Sequence, residues 1–208
     1  MGEEGWNQTK LFILQIARSL NIAEDETNLA VTTFEDKIEL QIKFSDHTNY
    51  SSFEKAVYAI DDRLAGTNTI GGLKFAYEEM FNAANGMRIG VPNAMLFMTD
   101  GDCRGINCTK ETFEYWNNMY RNIANPPIKL IGIGIGDKVK VEEIETFVGK
   151  ENYYGSNITE IIKPEFIRDL SICDSMYSYL VLILIRIQME FYFRHILISC
   201  EKYSTYLF

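Results

Sequence analysis

Apolar residues recur along the chain with two periods, and the switches between them lay out a succession of helices and strands. Trp6, Leu11, Leu14, Ile16, Ala17 and Leu20 share one helical face, so residues 3–20 read as an amphipathic helix, with Glu3 and Glu4 at its dipole-positive start. Leu29 to Phe34 is a short run rich in apolar and β-branched residues, the pattern of a buried strand. Ile38 to Phe44 alternates apolar with polar, the pattern of a half-exposed one, and Asp36-Lys37 between them suits a tight hairpin. Helices follow at Ser51–Leu64, with Ser51 or Ser52 as N-cap, and at Thr69–Ala84, where Thr69 is a candidate cap.

The second half repeats the alternation. Asn93 to Thr99 is a continuous apolar strand ending in Asp100-Gly101; Thr109 to Ala124 is helical and ends at Pro126-Pro127. Ile128 to Gly136 is another buried strand, Val139 to Val148 a short helix, Tyr153-Tyr154 a short strand, and Ile158 to Ile172 a final helix. Strands alternating with helices from residue 29 onward predict an α/β fold: a doubly wound, mostly parallel sheet with helices on both faces. The expected division is a domain over residues 1–172 and an apolar tail of uncertain structure over 173–208. Within the tail, Tyr179 to Ile187 is intensely apolar but too short to cross a bilayer, which needs about 20 apolar residues.

Composition narrows the function. The 208 residues carry a net charge of -9, and the 20 Lys and Arg are dispersed, which argues against nucleic acid or anionic membrane as partner and suits a cation or a basic protein. Four cysteines without a CxxC pair, and two histidines, give little support to a zinc site. Cys103 and Cys108 lie in a polar loop at a spacing compatible with a small disulfide loop and equally with two free thiols. Sequons at Asn7, Asn49, Asn107 and Asn157 point outside the cell, whereas the start of the chain shows no signal peptide; a piece of a longer secreted protein reconciles the two. No Ser/His/Asp set, phosphate loop or acid/base pair is legible, and the glycines of Gly132–Gly136 fall on a strand and fail the G-x-G-x-x-G spacing, so an enzyme is not expected.

In an open parallel sheet, ligands bind beyond the carboxyl ends of the strands where strand order reverses. Asp100, closing the apolar strand, and the Gly66-Thr-Asn-Thr69 loop both belong there. Together with Gly2-Glu-Glu-Gly-Trp6 before a helix, Leu29-Ala-Val-Thr-Thr-Phe34, Thr99-Asp-Gly101 and Ile131-Gly-Ile-Gly-Ile-Gly136, in this order, they resemble the von Willebrand factor A family, the integrin inserted-domain type, over residues 2–172. The resemblance, nearest to matrilin-like and type VI collagen domains, implies a protein-binding adhesion module of an extracellular matrix protein. Its partner would be collagen or another matrix protein. An intracellular scaffold of the copine-like or chelatase-like kind is the alternative.

The family's metal-ion-dependent adhesion site holds Mg²⁺ or Mn²⁺ through Asp-x-Ser-x-Ser, a Thr and an Asp. By motif match Thr67 and Asp100 are the last two pieces, and Asp-x-Ser-x-Ser occurs nowhere in the sequence. One hydroxyl and one carboxylate imply weak or absent metal binding. The family's first strand, which carries that motif, is central in its sheet, between the Leu29–Phe34 and Asn93–Thr99 strands, and the chain begins about where the motif would end. Without it two strand edges lie open, at about 1–3 kcal/mol for each buried unpaired group. Either Tyr179–Ile187 replaces the missing strand, or it is an unrelated amphipathic helix or sequence from an alternative gene end. The sequence by itself favours the latter.

Overall fold

The computed structural model describes residues 3–61, 68–135, 139–155 and 180–185. In chain order the elements are α1 (Glu3–Arg18), β1 (Asn28–Phe34), β2 (Ile38–Ile42), α2 (Tyr50–Ala59), α3 (Thr69–Phe75), β3 (Asn93–Thr99), α4 (Lys110–Asn118), β4 (Ile128–Gly134), α5 (Val141–Val148), β5 (Tyr153–Tyr154) and β6 (Leu180–Ile185). The sheet order is β2-β1-β6-β3-β4-β5. All neighbours run parallel except β2, which returns from β1 as an antiparallel edge through the short turn around Asp36.

Both faces of the sheet are covered, which is why its strands read as unbroken apolar runs. Every residue of β1 and of β3 is buried. Successive side chains point to opposite faces. Leu29, Val31, Leu96 and Met98 pack with Phe12, Ile13 and Ile16 of α1 and with Phe53 and Val57 of α2. Ala30, Phe34, Met95 and Phe97 pack with Leu73 of α3, Trp116 of α4, and Ile144 and Phe147 of α5. The second layer is dense in aromatics: Phe97 stacks on Phe34 at 5.9 Å and meets Phe147 edge-on at 5.2 Å. Gly132 is required there, because a Cβ would lie 2.6 Å from Ile144 Cγ2 and 2.8 Å from Val148 Cγ2.

The caps differ from expectation. Asn49, not Ser51 or Ser52, caps α2, its Oδ1 accepting from Ser52 N at 2.9 Å. Asn68, not Thr69, caps α3, accepting from Gly71 N at 2.9 Å. An amide oxygen one residue upstream reaches an otherwise orphaned N–H, which leaves Thr69 as the first residue inside the helix. The helices expected over Thr69–Ala84 and Thr109–Ala124 each end in a wider π turn, Ala76–Met80 and Met119–Ile123. There Tyr77, Phe81 and Tyr120 pack edge to face. The helix expected over 158–172 lies outside the described residues.

The sheet centre holds the main correction. Residues 180–185 are a strand, not a helix, and they occupy the slot between β1 and β3. Leu180–Ile185 pair in register with Asn28–Thr33 on one side and with Asn93–Met98 on the other. Periodicity cannot separate a short buried strand from a buried helix segment when every residue is apolar. Two open parallel edges six residues long decide the matter, since burying them unpaired costs far more than any helix propensity returns.

Candidate functional site

The carboxyl ends of β1 and β3 point the same way with β6 alone between them, so the loops that leave them share one rim. The strand order reverses between β6 and β3, which is where doubly wound sheets bind ligands. Asp100 leaves β3 at this point. Asn68, the residue after Thr67, is fixed to the end of β1 by its N–H donating to the Glu35 carbonyl at 2.8 Å. Thr67 lies outside the described residues, so the structure locates its neighbour and the turn it precedes.

The turn after β3 is held on every side. Thr99 is fully buried, and its Oγ1 accepts from Gly101 N at 3.1 Å. Asp100 Oδ1 accepts from Asp102 N at 3.0 Å, closing a second side-chain turn. The Asp100 carbonyl accepts from Lys140 N at 2.8 Å, which ties the turn to the residues leading into α5. Gly101 has φ +70°, and a Cβ there would stand 2.4 Å from the Lys140 carbonyl oxygen, so only glycine fits the Asp-Gly pair.

Beyond it sits a charged latch that sequence patterning missed. Asp102 pairs with Lys140 at 2.6 Å and with Arg104 at 2.7 Å. Those two cations, Lys140 first, hold its carboxyl at a pKa of about 2. Glu143, in the first turn of α5, accepts from Cys103 N through both oxygens at 3.2 and 3.3 Å. Burial pushes its pKa up to about 7 despite that hydrogen bond and the nearby Lys140 ammonium. Lys140 followed three residues later by Glu143 was the available signal, but the loop it grips is forty residues upstream. Cys103 and Cys108 are disulfide-bonded, closing a loop whose Ile106 is 93% exposed.

Among the described residues the donor set does not match a hard divalent cation. Among the described residues no three His, Cys, Asp or Glu side chains converge to hold a metal. Asp102, the other carboxylate of the turn, is bound by two cations, and Asp100 uses Oδ1 within its own turn. Thr32 and Thr69 are fully buried, and their hydroxyls have no hydrogen-bond partner among the described residues. An open recess of about 470 Å³ beside the rim is lined by Thr33, Glu35, Asp36, Lys37, Glu39, Gln41 and Asp61.

The von Willebrand factor type A domain model matches residues 1–165. The human collagen alpha-5(VI) chain is 24% identical over 172 residues, which is 81% of this chain and 6% of that protein. Matrilin-1 of Gallus gallus is 24% identical over 153 residues, 73% of this chain and 29% of that protein. The chain thus spans less than a third of either relative. Among solved structures, proximal thread matrix protein 1 from the mussel byssus, with a zinc-occupied MIDAS motif, superposes with a TM-score of 0.68 at 18% identity. It covers 82% of this chain and 43% of that one. Manganese-loaded Plasmodium vivax TRAP protein gives 0.63 at 17% identity, over 79% and 68%. At those identities the structures speak for the fold alone. The matched model, the strand order and the aspartate rim agree, and the chain belongs to the von Willebrand factor type A domain family.

Proposed function

We propose that this domain is a non-catalytic protein-binding module of the extracellular-matrix kind, which docks its partner on the rim at the carboxyl ends of β1 and β3 without a resident metal ion. The relatives are matrix proteins, and an adhesion or protein-binding role is what such domains share. The carrying observation is the loop closed by Cys103–Cys108: it follows the Asp100 turn, is covalently tied, is latched to α5 by Glu143, and exposes Ile106 to solvent. A preorganised apolar tip with Arg104 and Lys140 at its base loses little entropy on docking. The disulfide supports an extracellular setting over the intracellular scaffold alternative, because the cytosol keeps thiols reduced. Exposed Asn7, Asn49 and Asn107 in sequons agree with that setting.

Metal independence follows from the donors. Thr67 and Asp100 supply one hydroxyl and one carboxylate, too few to displace the hydration shell of Mg²⁺ or Mn²⁺. The residues after β6 run Arg186-Ile-Gln-Met-Glu190, with no Asp-x-Ser-x-Ser among them. A strand bearing that motif, if appended, has to displace residues 180–185 before it completes a site. The test is binding of the chain to immobilised type VI and fibrillar collagens and to matrilins, with Mg²⁺, with Mn²⁺ and with EDTA. Expected is binding that EDTA leaves unchanged and Ile106→Asp weakens about tenfold or more. Loss of binding in EDTA overturns metal independence; no binding to any matrix protein, or full binding by I106D, overturns the assignment of the rim.

A further inference from the structure

The chain carries four acceptor tripeptides for N-linked sugar, and one of them is built into the disulfide loop. That at Asn157 lies outside the described residues. Asn7 falls within α1, where Thr9, the hydroxyl residue of its tripeptide, is 2% exposed. Asn49 caps α2 through Oδ1, which leaves its Nδ2 for a sugar. Asn107-Cys108-Thr109 differs from both, because its middle residue is a disulfide partner and its first residue adjoins the exposed Ile106. We propose that Asn107 is an N-glycosylation site whose glycan covers the Ile106 tip, and that closure of Cys103–Cys108 competes with its modification. The order of the two reactions then decides whether the loop can dock a partner. The masking rests on the docking reading above; the modification does not.

Three observations carry the proposal. Asn107 is exposed and its side-chain amide makes no hydrogen bond among the described residues, so a sugar on Nδ2 displaces nothing. Ile106, 93% exposed, is its immediate neighbour, with Cα atoms about 3.8 Å apart, so a bulky hydrophilic group on one shields the other. The folded loop also withdraws the tripeptide from a transferase. Cys108 is bonded to Cys103, its N–H donates to the Gly105 carbonyl at 3.2 Å, and Thr109 Oγ1 caps α4 by accepting from Thr112 N at 3.3 Å. A transferase has to seat the asparagine amide and the threonine hydroxyl together, and here the ring holds the backbone while the cap engages the hydroxyl. In the modification, Asn107 Nδ2 attacks C1 of a lipid-linked oligosaccharide. The N–C bond forms, the C1–O bond to the pyrophosphate carrier breaks, and one amide proton passes to a base of the transferase. In the closure, the two thiols give two electrons and two protons to an oxidised dithiol carrier, which is released as the dithiol. A glycosylated loop can still close, with its tip covered, whereas a closed loop is no longer an acceptor.

The test expresses the full chain behind an added secretion leader in animal cells and reads occupancy of Asn107 and Asn49 by glycopeptide mass spectrometry. The parent is compared with the double variant Cys103→Ser, Cys108→Ser, which keeps an acceptor tripeptide at Asn107. Expected is partial occupancy of Asn107 in the parent, rising about twofold or more in the double variant while Asn49 stays unchanged. An unmodified Asn107 in both, equal occupancy in both, or a parallel rise at Asn49, which marks general unfolding, overturns the proposal. The two parental glycoforms are then separated and bound to the matrix proteins named above. The form glycosylated at Asn107 should bind about tenfold or more weakly than the unmodified form. Asn107→Gln, which keeps Ile106 and the disulfide, should bind like the unmodified form. Equal binding by the two glycoforms overturns the masking. If neither binds, the docking reading fails and the masking with it, while the occupancy of Asn107 stands as measured.

Discussion

A proline at Leu182 separates a β6 that completes the sheet from one that merely follows the domain. Leu182 is in register with Ala30 on β1 and with Met95 on β3, at the middle of the slot. Proline has no N–H, so one ladder bond is lost and an acceptor on a fully buried strand is left without a donor, at about 1–3 kcal/mol. The pyrrolidine ring also has no room in a strand hydrogen-bonded on both sides, which is why proline is confined to edges and bulges. Together these come to about 4 kcal/mol, a large share of a typical stability of about 5–15 kcal/mol. The assay is urea unfolding followed by tryptophan fluorescence. Trp6 and Trp116 are buried in the layers on opposite faces of the sheet, so together they report both layers. Leu182→Pro should lower the midpoint for both tryptophans together and reduce hydrogen-exchange protection at those amides of 28–33 and 93–98 that bond to β6. Leu182→Val, which keeps the N–H, should stay within about 1.5 kcal/mol of the parent. Parental midpoints and protection in the proline variant, or rapid exchange across 180–185 in the parent, would mean that β6 does not complete the sheet.

Gly132→Val drives a branched side chain into Ile144 and Val148, atoms already 2.6–2.8 Å from where a Cβ would stand, and should cost about 3 kcal/mol in urea unfolding. Thr32→Val removes a buried hydroxyl that has no partner among the described residues while keeping its shape in a strand, so it should raise stability by about 1–2 kcal/mol; a loss would mean that the hydroxyl is satisfied. Glu143 has a folded pKa of about 7, above its ordinary 4.5. Its contribution to stability is therefore fully present below 4.5 and is lost as pH rises through about 7. Glu143→Gln keeps an acceptor for Cys103 N without the buried charge, so its stability relative to the parent should improve between pH 5 and pH 8. Discounted for partial exposure, the gain is on the order of 1 kcal/mol, and a flat difference across that range would sink the assignment.

What the chain settles locally, its sequence announces. Leu29–Phe34, Asn93–Thr99 and Ile128–Gly134 are strands because they are apolar on both faces, and the helices between them carry one apolar stripe, so element order and the doubly wound class follow from patterning. Asp100 at a strand end and the Thr99-Asp-Gly101 turn were legible for the same reason: β3 stops where apolarity stops, and Gly101 adopts a positive φ that favours glycine. The Cys103–Cys108 pair was visible as two cysteines in a polar loop, and the fold made it a bond. The latch of Lys140 and Glu143 on the residue-102 turn was not legible, because charge patterning reports neighbours on a helix, not partners forty residues away. Nor was the place of residues 180–185. Their composition permits a strand or a buried helix, and only the two unpaired edges of β1 and β3, brought side by side by tertiary packing, make the backbone hydrogen bonds that require a strand there.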